Sequence, residues 1–212
     1  MTNEERRQSP RWWNAKYKGK ETHRPLRRAT IYQDDVALIP YGDHTIVVDT
    51  DIGNRLDSMI VLVKDINGYP QVSVRPKGSK KDAYDILARL ILDPVPMGMY
   101  VDHINRNSLD NRRANLRLAT PAQNAANIGA RKRTDSSSCF KGVHRTESGT
   151  WSAAIFCRGA RYRLGTYEKE EDAAMAYDMG AIEIFQDFAA LNFPERLEIY
   201  RKRLREETSY EE

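Results

Sequence analysis

The stretch from Tyr100 to Asn127 constrains the fold of this chain more than any other. It reads YVDHINRNSLDNRRANLRLATPAQNAAN. Asp102 and His103 close a short apolar run, which predicts a strand ending beside a loop. The loop is made of turn formers, Asn105, Asn107, Asp110 and Asn111, whose side chains hydrogen-bond nearby backbone. Asn115-Leu116-Arg117-Leu118-Ala119 predicts a second short strand. Thr120-Pro121-Ala122-Gln123 then opens a helix: Thr caps, Pro suits the first helical position, and Gln three residues on completes a capping box. Asn124 and Asn127, three apart, fall on one face of that helix. The predicted order, strand–loop–strand–helix, points a carboxylate, an imidazole and carboxamides at one small space.

Singly, each of these residues reads as turn or cap chemistry. Together, at this order and spacing, they read as a site. Mg²⁺ takes oxygen ligands and keeps several waters, so a carboxylate, an amide oxygen and a phosphate make a suitable set. An imidazole with an ordinary pKa of about 6.5 takes a proton from water at neutral pH. Such a set can hydrolyse a phosphodiester.

Charge points to a polyanionic partner. The net charge of the 212 residues is only +4, but it is unevenly spread. Residues 1–33 carry 9 Lys/Arg against 3 acids, residues 100–134 carry 7 against 2, and residues 141–167 carry 5 against 1. Residues 168–212 reverse the balance, with 6 against 13. Basic cassettes of this kind suit nucleic acid, although a charge run can also be a solvated face. No apolar run is long enough for a membrane span, and the N-terminus has no secretory h-region. Two cysteines, Cys139 and Cys157, make neither a disulfide scaffold nor a CxxC pair. A reducing cytoplasm, that of a host cell if the gene is phage-borne, is the expected compartment.

The predicted fold class is α+β. Residues 1–33 read as a basic, flexible arm. Residues 34–133 read as one domain with its strand–loop–strand–helix core at 99–130, preceded by a β-rich segment. In that segment strands 44–50, 59–65 and 69–76 are expected, the last two joined by an Asn67-Gly68 hairpin turn. A helix is expected over 82–92, capped by Asp82, with Ile86, Leu87, Leu90 and Ile91 on one face. Residues 134–140 read as a linker. Residues 141–194 read as a three-stranded sheet plus a helix over 168–188, whose buried face includes Ala173, Ala174, Tyr177, Ala181, Ile184, Phe185 and Phe188. Residues 195–212 read as a charged helix or tail.

The 99–127 stretch closely resembles the HNH, or ββα-metal, nucleases, in particular their phage and homing-endonuclease subgroup. The resemblance implies a DNA endonuclease with one divalent metal, Mg²⁺ first and Mn²⁺ as the alternative. It implies His103 as general base and Asn115 as the residue that stitches the loop and orients that base. It implies Asp102 and Asn124 as metal ligands, with Asn127 as a second amide ligand. Arg106, Arg112, Arg113 and Arg117 become phosphate contacts. Without a CxxC pair no structural zinc is expected. Two positions depart from the pattern: relatives often have Gly at Arg106 and a His at Ala88.

Residues 140–194 resemble the plant apetala-two/ethylene-response-factor DNA-binding domain. The resemblance rests on Lys141-Gly142-Val143, Trp151, Arg161 to Tyr167, Glu171 to Ala174, Ala176-Tyr177-Asp178, Ala181 and Leu191 to Pro194. It implies a sheet lying in the major groove of double-stranded DNA. Strand alternation puts Trp151, Ala153, Ile155, Cys157, Tyr162 and Leu164 on the core side. Ser152, Ala154, Phe156, Arg158, Arg161 and Arg163 fall on the other. Lys141, His144, Arg145, Arg158, Arg161 and Arg163 are the DNA-contact candidates. The reading-face residues differ from the plant pattern, so the plant target sequence does not carry over.

The leading reading is therefore a metal-dependent DNA endonuclease targeted by an appended DNA-reading module. The alternative is a sequence-specific DNA-binding regulator with an idle HNH fold. A purely structural module would leave the two basic cassettes unexplained. Monomer and weak dimer both remain open.

Overall fold

The computed structural model describes residues 29–66, 69–80, 84–130, 136–157 and 159–208. The architecture is α+β, with small antiparallel sheets and few helices. The basic arm before residue 29, the Asn67-Gly68 turn, the Asp82 cap and Arg158 lie outside the described residues. Among those residues no helix is long and apolar enough to cross a membrane. Packing divides the chain into two units, Met1–Ala119 and Thr120–Glu212.

In the first unit, β1 (Ile31–Gln33), β2 (Val36–Tyr41) and β3 (His44–Asp49) form a meander in the order β1-β2-β3. A short helix, α1 (Thr50–Leu56), follows at once. Next come β4 (Met59–Ile66) and β5 (Tyr69–Pro76), paired without a break from Met59↔Pro76 to Ile66↔Tyr69. Alternation along the strands sets the apolar face that packs into the core, although Ser73 and Arg75 on the other face of β5 are buried as well. Ala37 and Ile39 on β2, and Ile46 and Val48 on β3, are fully buried, and they meet Ile52 and Leu56 of α1. Met59 and Val61 of β4, with Val72 and Val74 of β5, extend the same core. Helix α1 lies very close to β2 because residue 53 is glycine. A Cβ there would stand 2.3 Å from the Ala37 Cβ.

The helix expected over 82–92 is shorter than that. Asp85–Ile86 form β6 on the β5 edge, pairing with Val74 and Ser73, and helix α2 spans only Leu87–Ile91. Ile86 is extended and 38% exposed, so it leaves the apolar face it was expected to share with Leu87. Edge pairing to β5 outweighs the helical periodicity here. β7 (Tyr100–His103) and β8 (Leu116–Ala119) then form an antiparallel ribbon.

In the second unit, helix α3 (Pro121–Ala126) carries the full expected capping box. Gln123 N donates to Thr120 Oγ1 at 3.3 Å, and Thr120 N donates to Gln123 Oε1 at 2.9 Å. β9 (Val143–Arg145), β10 (Trp151–Cys157) and β11 (Ala160–Tyr167) make a sheet in the order β11-β10-β9. Helix α4 (Glu170–Phe185) packs on it, and helix α5 (Leu197–Thr208) follows. The alanines do the packing: Ala153 of β10 meets Ala173 and Ala174 of α4, while Ile155 and Cys157 meet Tyr177 and Ala181. Two expectations about faces need correction. Ile184 is 40% exposed, because it lies at the edge of the helix stripe that Ala181 and Phe185 define. Tyr162 is 49% exposed, although it pairs with the buried Ile155. It stands near the end of the sheet.

Gly142 turns the chain into β9 with φ +74°, where a side chain would run into Tyr177 and the Ala154 carbonyl. Asp178 is fully buried and accepts from the backbone N–H groups of Asn192 and Phe193, at 2.7 and 2.8 Å. This ties the segment after α4 back onto that helix. Burial raises the Asp178 pKa above the ordinary carboxylate value, and the two N–H bonds work against that shift.

Candidate active site and nucleic-acid interface

In the first unit the candidate site grows out of the β7–β8 ribbon. The register sets Asp102 opposite Arg117 and His103 opposite Leu116. His103 is thus the last paired residue before the loop. Its carbonyl accepts from Arg106 N at 2.8 Å, which closes a turn, and Arg106 adopts φ +63° to do so. That left-handed backbone is the physical reason a glycine suits this position.

Asn115 holds the two ends of the loop together. Its carbonyl accepts from Ile104 N at 2.9 Å, and its Oδ1 accepts from Asn105 N at 3.0 Å. Its Nδ2 donates to Asn105 Oδ1 and to the Asp110 carbonyl, at 3.0 and 2.7 Å. Asn115 is buried, and its bond to the Asp110 carbonyl is shielded from water. Asn105 Nδ2 also donates to Asp110 Oδ2 at 2.9 Å. Asn105, two residues after the base, is therefore clamped from two sides.

The imidazole has a partner that sequence reasoning missed. Asn111, only 1% exposed, places its Oδ1 3.4 Å from His103 Nε2. Asn111 is itself fixed: its Nδ2 donates to the Ser108 carbonyl at 3.0 Å, and its backbone N–H donates to the Val47 carbonyl at 2.7 Å. Val47 N in turn donates to the Leu109 carbonyl at 2.9 Å, so the loop is docked along β3. Asn111 was read as one of several turn formers. The spacing alone could not show that its amide faces the base.

Burial lowers the His103 pKa below its ordinary value of 6.5. The Asn111 hydrogen bond and the charges of Asp102 and Asp110 offset part of this effect. The net shift favours the neutral imidazole, the form able to accept a proton. With Nε2–H donating to Asn111, the lone pair sits on Nδ1.

Arginines of the same stretch serve the fold. Arg112 holds Asp110 through two bonds, Nε to Oδ1 at 2.8 Å and Nη2 to Oδ2 at 2.7 Å. This lowers the Asp110 pKa and raises that of Arg112. Arg113 spans Asp49 and Asp51, with Nη to carboxylate distances of 3.2, 2.8 and 2.8 Å. Arg117 Nε binds Asp102 Oδ2 at 2.8 Å, with the Asp102 side chain only 6% exposed. Arg106 is exposed at the loop surface. The carboxylate assigned to a metal thus carries an arginine on one oxygen. A carboxylate and amide oxygens remain a hard donor set of the kind Mg²⁺ takes. Among the described residues no cluster of three His, Cys, Asp or Glu forms a softer site.

The second unit holds the remaining candidates. Asn124 is half-buried on α3, and Asn127, buried, caps that helix. Lys141 turns inward: its Nζ donates to the Ala126 carbonyl at 2.5 Å and lies 5.8 Å from the centre of the Tyr177 ring. Arg145 lies over Trp151, with 5.8 Å between its guanidinium and the ring centre. On the sheet face away from α4, Arg161 Nη2 comes within 3.2 Å of both ring nitrogens of His144. Arg163 stands opposite Ala154 on the same face. Desolvation lowers the His144 pKa, and the positive charges of Arg161 and Arg163 lower it further.

Comparison with known proteins agrees with this picture. The HNH endonuclease family model matches residues 93–126, which take in β7, the stitched loop, β8 and α3. The chain carries an HNH endonuclease domain. An uncharacterised HNH endonuclease of Acanthamoeba polyphaga mimivirus is 36% identical over 127 residues, 59% of this chain and 63% of that one. A dehydration-responsive element-binding protein of Arabidopsis thaliana is 44% identical over 71 residues, 32% of this chain and 34% of that one. An ethylene-responsive transcription factor of the same plant is 34% identical over 98 residues, 44% of this chain and 58% of that one. Part of the chain is thus homologous to AP2/ERF DNA-binding domains. The chain spans less than two thirds of the length of each of these relatives. No solved structure matches it.

Proposed function

We propose that this protein is a divalent-metal-dependent DNA endonuclease, brought to its target by the sheet of its second unit. The observation that carries the proposal is the geometry at His103: an imidazole at a strand end, fixed by Asn111 and by the Asn115 stitch, beside a buried carboxylate. His103 takes the proton of the water that attacks the scissile phosphorus. Asn111 and Asn115 are positioning residues for that base. Asp102 would supply a carboxylate for the metal, and the resemblance adds Asn124 and Asn127 as candidate amide donors. Mg²⁺ is the expected metal, with Mn²⁺ as the alternative. The bound metal would supply Lewis-acid stabilisation of the charge that develops at phosphorus and on the leaving oxygen. Arg106, exposed next to the base, contacts phosphate, as do Arg145, Arg161 and Arg163 on the second unit.

A second reading is favoured by one observation, the Arg117–Asp102 ion pair, which neutralises the proposed metal ligand. In that reading the protein binds DNA and does not cut it. Supercoiled-plasmid cleavage by wild type and His103→Ala, with Mg²⁺, with Mn²⁺ and with EDTA, separates the two on DNA carrying a selected binding site. Metal-dependent cutting that His103→Ala loses supports the nuclease. Tight binding of that site without cutting in either metal refutes it in favour of the regulator.

A further inference from the structure

The outward face of the β9–β11 sheet carries no carboxylate, since none of its three strands contains an acidic residue. On this cationic face stands one large apolar side chain, Phe156, which is 72% exposed. A single exposed apolar residue is ordinary by itself. Here its neighbours give it meaning. β10 is the central strand, so the contact between Arg161 of β11 and His144 of β9 crosses the face of β10. That crossing accompanies Ser152 and Ala154 being 0% and 9% exposed, both of them outward-facing positions of β10. Phe156, paired with Arg161 at the far end of the strand, is left standing clear of it. The face therefore offers charge for a polyanion and one aromatic ring for something apolar on it.

Base edges in the major groove present one apolar group, the 5-methyl of a pyrimidine, and Phe is among the side chains that contact it. We propose that Phe156 is a specificity-determining residue that reads the 5-methyl group of a pyrimidine at one position of the target. The inference rests on the proposed DNA binding by this sheet. Thymine and 5-methylcytosine share the recognised chemistry.

The test uses the full-length chain in EDTA and a randomised duplex library. Each thymine of the selected site is replaced in turn by deoxyuridine, and each cytosine by 5-methylcytosine. Binding is measured for wild type, Phe156→Ala and Phe156→Leu, with circular dichroism confirming that the variants fold. At one position, removing the methyl weakens wild-type binding about fourfold, the equivalent of one buried methylene. The loss disappears in Phe156→Ala and persists in Phe156→Leu. Sensitivity at a thymine identifies thymine as the source, and a gain on methylating a cytosine identifies 5-methylcytosine. If salt-sensitive binding persists with no methyl-sensitive position, or with equal sensitivity in wild type and Phe156→Ala, the inference falls and the DNA-binding reading stands. If no duplex binds at all, both fall.

Discussion

The arginines of the two units are alike in the sequence and unlike in the structure. Around the strand–loop–strand site, Arg112, Arg113 and Arg117 each hold a carboxylate: Asp110, the Asp49–Asp51 pair and Asp102. On the second unit's sheet, Arg145, Arg161 and Arg163 make no ion pair among the described residues and lie over an aromatic ring, beside an imidazole or on the open face. A count of basic residues treats the two sets as equal. In the structure the first set builds a loop, while the second holds no carboxylate among the described residues. Exposed ion pairs contribute little, but Asp102 and Asp110 are buried, where an unpaired charge is costly.

The sharpest test of this contrast removes the base itself. His103→Ala is expected to lower metal-dependent cleavage by about 10²-fold or more, while DNA affinity measured in EDTA changes little. Cleavage that survives the substitution would break the assignment. Next comes the structural arginine set. Asp110→Ala removes the acceptor that holds Arg112 and Asn105 in the loop, and is expected to cost about 1–2 kcal/mol in urea unfolding. Arg161→Ala and Arg163→Ala should each change stability by less than about 0.5 kcal/mol. Each should instead weaken DNA binding and reduce its salt dependence, by up to about one unit of the log–log slope. If Arg161→Ala unfolds the protein and Asp110→Ala does not, the contrast is inverted.

A smaller effect is expected at Arg106, whose left-handed backbone costs about 1 kcal/mol for a non-glycine residue. Arg106→Gly should raise the melting temperature slightly and lower DNA affinity at low salt, so stability and binding move in opposite directions. The smallest effect is in pH. The folded pKa of His144 lies below its ordinary 6.5. Its neutral form therefore favours the fold above pH 6.5, and that contribution is lost as pH falls through 6.5 towards the lowered value. His144→Gln should flatten that part of the stability profile, which thermal melts between pH 5 and 8 would show.

The legible parts of the molecule were those fixed by short-range chemistry. Thr120 and Gln123 announced their capping box, and the β-branched runs at 44–50, 59–65 and 69–76 announced their strands. The run Asp102-His103 announced its strand end. What stayed hidden depends on distant contacts. Helix α1 has only seven residues with Gly53 inside it, and it exists because Ile52 and Leu56 find the β2–β3 core. Ile86 left its helix for the edge of β5. Asn111 became the imidazole's partner only because Val47 holds its backbone. Local pattern carries none of these three.

That hold on Val47 has a consequence for the order of events in folding. The loop around the base is pinned to β3 and, through Arg113, to Asp49 and Asp51, across 64 and 62 positions of chain. Closing spans of that length is entropically slow and is rewarded only once both ends exist. During synthesis β3 emerges first, as a template, and residues 109–113 settle on it later. A nascent chain therefore holds its imidazole unaligned until most of the first unit is made, and a fragment limited to residues 93–126 lacks the template altogether.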